Sequence, residues 1–118
     1  MATIALVNQM RPDDYFSMMT LFYGRSLDAH GHTIENDDPA VYVLITSCFV
    51  DPEEMQRMYQ QLRQRGKPII VADATPRQSQ IRMEQGDIYF NFYPLFKREK
   101  SPRRIMGILV EQALEQYL

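Results

Sequence analysis

The run AVYVLITSCF at residues 40–49 is almost unbroken in its apolar character, and it constrains this chain more than any other feature. A strand with one wet face alternates polar and apolar residues. A strand that reads continuously apolar is covered on both faces, the condition of a central strand in a parallel sheet. Two shorter runs share that character: TIALV at residues 3–7, and Pro68-Ile69-Ile70-Val71-Ala72, which ends at Asp73.

Helical periodicity separates these strands. Arg11-Pro12-Asp13-Asp14 reads as a helix opening, since proline is tolerated in a first turn and acids there oppose the positive end of the helix dipole. Tyr15, Met18, Met19 and Phe22 then recur at helical spacing, and Phe16, Leu21, Tyr23 and Leu27 widen the stripe. So wide a face implies burial on more than one side, under neighbouring elements or in an oligomer contact. Gly31, after His30, fits a left-handed C-cap. Asp51-Pro52-Glu53-Glu54 opens a second helix with an N-cap, a first-turn proline and a glutamate three residues after the cap. Its apolar face is Met55, Met58, Tyr59 and Leu62, and Gly66 stops it.

The remaining segments carry weaker signals. Residues 32–35 read as a short second strand and 36–39 as a turn, which leaves no room for a crossover helix before the third strand. Either a tight hairpin or edge excursion replaces that helix, or the second strand lies outside the sheet. Residues 75–86 are expected to hold a helical turn around Ile81 and Met83, residues 87–93 (DIYFNFY) a last strand, and Ser101-Pro102 the cap of a closing helix facing inward through Ile105, Ile108, Leu109 and Ala113. Strands alternating with helices imply right-handed crossovers. The expected fold is one α/β domain over residues 1–118: an open, mainly parallel five-stranded sheet of flavodoxin-like (Rossmann-like) layout, with helices on both faces and the second crossover helix missing.

Composition excludes several functions. A formal net charge of -2 argues against a generic polyanion binder, so nucleic acid is not the expected partner. One cysteine, Cys48, rules out an intrachain disulfide framework and a Cys-rich zinc site. The N-terminal stretch lacks the basic flank and long apolar core of a signal peptide, and no apolar run reaches membrane-spanning length, so a cytoplasmic chain with no membrane contact is expected. No glycine follows the first strand, so the dinucleotide fingerprint and the P-loop are both missing.

In open α/β sheets the working crevice lies outside the carboxyl ends of the strands. Asn8, Gln9, Thr46, Ser47, Cys48, Asp73 and Asn91 occupy those ends, a polar set with one carboxylate. Neither a metal nor a cofactor is expected there. His30 and His32 have no carboxylate or cysteine at ligand spacing, so a solvent role at the helix end is expected for them. Glu53 and Glu54 follow the central strand, where a catalytic carboxylate could face the crevice with Asp73 assisting, though dipole complementarity explains them equally. Lys97, Arg98, Lys100, Arg103 and Arg104 form a basic patch beside Tyr89, Phe92, Tyr93 and Phe96, a composition suited to protein contact.

The stretch from Lys67 to Leu114 is similar to the closing part of response-regulator receiver domains. There a strand with a Thr/Ser-Ala end is followed by a helix, then an Ala/Gly-Asp-Tyr strand, a Lys-Pro-Phe turn and a final amphipathic helix. Ala40–Arg65 fits the preceding strand and helix, so the resemblance spans residues 40–114. The family's chemistry does not carry over. The resemblance puts Thr46-Ser47 where receivers carry the phosphoryl-accepting carboxylate, Asn8-Gln9 at the acidic magnesium pair, Asp73 at the hydroxyl residue, and Phe92 or Tyr93 at the lysine before Pro94. A hard cation needs its carboxylates. The resemblance therefore implies a pseudo-receiver that is not phosphorylatable: a non-enzymatic regulatory or protein–protein interaction domain, self-associating or docked to a protein. The alternative, resembling nucleoside 2-deoxyribosyltransferases and TIR-like proteins, is a small nucleoside- or nucleotide-directed enzyme using Glu53 or Glu54, although those transferases' Asp-rich and Gly-Thr motifs are absent.

Overall fold

The apolar run at residues 40–49 does become the middle of the sheet. Its strand is Val41–Thr46 (β3), and every residue in it is buried. The structure, a computed structural model, describes residues 2–9, 15–77 and 80–118. The expected helix opening at 11–14 and the strand tip at Met10 lie outside the described residues. Strand Thr3–Asn8 (β1) pairs with one side of β3, and Ile69–Asp73 (β4) with the other. Thr33–Ile34 (β2) and Ile88–Asn91 (β5) flank these, giving the all-parallel order β2-β1-β3-β4-β5 of a flavodoxin-like open sheet.

Side chains alternate across the sheet and meet different helices on its two faces. On one face Ile4, Val43, Ile45, Ile70 and Ala72 pack against Tyr15–Ala29 (α1), through Met19, Tyr23 and Leu27. The closing helix Pro102–Leu109 joins them through Ile105, Met106 and Leu109. That helix continues as π-helical turns over Val110–Glu115, so its buried stripe also takes in Met106, Val110 and Leu114. On the other face Ala5, Tyr42, Leu44, Ile69 and Val71 meet Tyr59 and Leu62 of Pro52–Arg63 (α2). Among the described residues, no helix is long and apolar enough to cross a membrane.

The missing crossover helix has a geometric reason. Ile34 and Val41 both sit level with Ile4, so β2 ends where β3 begins. The link between them need only pass the N-terminal end of β1. Glu35 N–H donates to the Ile4 carbonyl (2.9 Å) and Ala40 N–H to that of Thr3 (2.8 Å), tying both ends of the link to β1. The second strand is thus a true member of the sheet, at its edge, and residues 36–39 are enough.

Other expectations need correction. Residues 80–83 are not helical. The Gln56 side chain holds Arg82 through both backbone groups, donating to its carbonyl (2.9 Å) and accepting from its N–H (2.8 Å). Ile81 and Met83, two apart, both reach the α2-side core, the spacing of extended chain. The basic loop after Pro94 contains a helical turn, Leu95–Arg98 (α3). β3 stops at Thr46, and β5 is shorter than the run 87–93. The apolar excess on α1 is only partly covered: Met18 is 49% and Leu21 55% exposed.

Candidate functional site

The parallel register assembles one polar row across the carboxyl ends of four strands. Thr46 lies beside Asp73 and Asp73 beside Asn91. Gln9 continues the row next to Thr46, its N–H donating to the Ile45 carbonyl (3.2 Å). All four follow the strand alternation onto the α2 side. Asp73, the row's one carboxylate, has no exposed surface. Oδ1 accepts the Thr75 N–H (3.0 Å) and the Thr75 hydroxyl, and Oδ2 accepts the Tyr89 hydroxyl at 2.7 Å. Asn91 steadies this arrangement by donating to the Thr75 carbonyl (2.9 Å) and to the Tyr89 oxygen (3.3 Å). Three donors satisfy this buried carboxyl group from within the chain. Thr46 Oγ1 is fully buried with no hydrogen-bond partner among the described residues.

An open cleft of about 350 Å³ lies over this end of the sheet, between the loop after β3 and the segment after β4. Ser47, Cys48 and Thr75 line its inner side, Val50, Pro52 and Met55 one wall, and Arg77, Gln80 and Ile81 the other. Chain order switches direction between β1 and β3, yet the cleft sits one strand further along, over β3 and β4. Gln9 accounts for the offset: its amide donates to the Glu54 carbonyl (3.0 Å), bridging the end of β1 to the first turn of α2.

Of the strand-end residues read from sequence, Ser47 and Cys48 therefore line the cleft, while Thr46, Asp73 and Asn91 form the layer beside it. Asn8 is exposed at the end of β1. Glu53 and Glu54 are exposed and do not line it, and Glu54 is turned toward Arg57 in an ion pair. Asp51 caps α2 as expected, accepting the Glu53 N–H (2.9 Å). In the aromatic–basic patch, Phe92 is fully buried and offers no contact surface, while Tyr89 is part-exposed with its hydroxyl engaged by Asp73. Tyr93 and Phe96 are part-exposed and pack ring to ring at 6.0 Å. Lys97, Arg98, Lys100, Arg103 and Arg104 are exposed, with Arg104 paired to Glu99 at 3.4 Å. Glu99 is held below the ordinary carboxylate range, chiefly by the Ser101 N–H.

Two further clusters join residues far apart in sequence. His32 is buried, contrary to the solvent role expected of it: Nδ1 accepts the Ala2 N–H (3.1 Å), which makes Nε2 the protonated nitrogen facing Glu115 at 3.1 Å. His30 Nδ1 meets the other Glu115 oxygen at 2.9 Å. The His32 hydrogen bond is the main reason the Glu115 carboxyl lies below its ordinary value. At the opposite end of β4, Asp87 accepts from Tyr59 (2.6 Å), the Ile69 N–H (2.9 Å) and Arg63 (3.1 Å). Burial first, and then the bond to Asp87, push the Tyr59 hydroxyl up to about 12. Strand period and helix caps gave no hint of either cluster; a histidine next to a helix-ending glycine and an aspartate opening a strand were the only local signs.

These features define a parallel α/β domain of flavodoxin-like layout with a hydrogen-bonded polar row and an open cleft at the carboxyl end of its sheet. Compared with protein-family models, with curated proteins and with solved structures, the chain matches none of them.

Proposed function

We propose that this chain is a non-enzymatic regulatory or protein–protein interaction domain, built on a receiver-like plan but not switched by phosphorylation. The observation that carries this reading is the commitment of Asp73. Among the described residues, every hydrogen bond its carboxylate accepts comes from Thr75 or Tyr89, and the side chain is shut away from solvent. Transfer of a phosphoryl group to either oxygen would displace the hydrogen bonds that oxygen accepts. The position matching the family's phosphoryl-accepting carboxylate is Thr46, whose hydroxyl is buried. A protein-contact role is supported by the basic face of residues 97–104 beside Tyr93 and Phe96, a surface suited to an acidic partner, and by the exposed Met18 and Leu21 of α1, which favour self-association.

Acetyl phosphate with magnesium tests the reading, with intact mass as the readout. The expected result is an unchanged mass under conditions that phosphorylate a receiver domain. A phosphoryl adduct on any residue of the polar row would overturn it.

A further inference from the structure

We propose that the cleft between the loop after β3 and the segment after β4 binds a small organic acid with an apolar body. The inference concerns the cleft alone and stands whether or not the basic face docks a protein. At about 350 Å³ the cleft lies toward the small end of ligand pockets, which run from about 300 to 1,000 Å³. Its walls offer Val50, Met55 and Ile81 to an apolar group, and Arg77 is the only charged residue lining it among the described residues.

The polar groups sort by what they still have to give. Gln56 is spent on Arg82, and Thr75 donates both its N–H and its hydroxyl to Asp73. Ser47 accepts the Phe49 N–H at 3.3 Å and has no exposed surface. The exposed groups left at the mouth are the Gln80 amide and the Arg77 guanidinium. A cation would meet Arg77 with like charge, and a bare hydrocarbon would leave both donors unmatched. A carboxylate takes the planar guanidinium fork in a two-bond pair, while its apolar body lies on Met55 and Ile81.

Cys48 lines the same cleft, is exposed, and is the only thiol of the chain, so it reports occupancy without a label. The probes are indole-3-acetate and tryptamine, which share a ring and differ in the sign of the side-chain charge. Cys48 is alkylated with neutral iodoacetamide and followed by mass. Indole-3-acetate is expected to slow the reaction about tenfold at ten times its dissociation constant, by mass action. Tryptamine is expected to leave the rate unchanged. Arg77→Gln, at an exposed position where folding is not at stake, is expected to weaken the protection by indole-3-acetate about tenfold or more. Equal protection by both probes, protection by neither, or full protection in Arg77→Gln would each overturn the proposal.

Discussion

Asp73 and Thr46 sit side by side on neighbouring strands, both fully buried, and their hydrogen bonding is opposite. Asp73 accepts three donors, whereas the Thr46 hydroxyl has no partner among the described residues. Removing a satisfied buried acceptor strands its donors, so Asp73→Ala should cost about 2–4 kcal/mol in urea denaturation. Thr46→Val removes only an unsatisfied hydroxyl, and should leave stability unchanged or raise it by up to about 1 kcal/mol. A large loss in Thr46→Val would mean that the hydroxyl is in use. Tyr23 poses the same question on the other face of the sheet. Its hydroxyl is buried without a partner among the described residues, and burial pushes its pKa well above the ordinary 10.0. A hydroxyl whose pKa rises on folding costs the fold nothing below pH 10. Above it the unfolded chain ionises first and stability falls. Tyr23→Phe should therefore match or exceed the parent at neutral pH and lose less of its urea midpoint between about pH 10 and pH 11. An unchanged alkaline limb would contradict this assignment.

At the scale of elements, the segment after β4 shows how a side chain overrides a local pattern. Ile81 and Met83 were read at helical spacing, but two residues apart is also the spacing of extended chain. What decides between them is Gln56, on a helix 26 positions earlier, whose amide gives Arg82 the two hydrogen bonds a strand neighbour would give. Gln56→Ala should raise amide hydrogen exchange at Arg82 and cost about 1 kcal/mol, since both bonds are exposed. Exchange unchanged at Arg82 would show that the segment is held by apolar packing instead. β2 teaches the complementary lesson. Its two residues were legible as a strand, but their register on Ile4, which makes a short link to β3 sufficient, depends on β1. Buried strands and helix caps could be read because each rests on adjacent residues: the run into Thr46, Asp51 before Pro52, Ser101 before Pro102. The cleft was half legible. Ser47 and Cys48 follow from the rule for strand ends, while Arg77, Gln80 and Ile81 lie beyond it. Glu115 beneath His30 and His32 could not be read, because 83 residues separate it from His32.

The whole molecule combines a fully parallel sheet, a carboxyl end whose one carboxylate is tied up internally, and apolar side chains left uncovered on α1. The first two are what the proposal of a domain without a phosphoryl switch at Asp73 rests on. The third gives it a reason to associate, because exposed Met18 and Leu21 gain by leaving water. Light scattering coupled to size exclusion, run over a range of protein concentrations with and without beryllofluoride and magnesium, addresses both halves of this account at once. The predicted result is a molar mass that rises above the monomer value with concentration and does not respond to the phosphoryl mimic. A strict monomer at every concentration, or an assembly that forms only with beryllofluoride and magnesium, would contradict it.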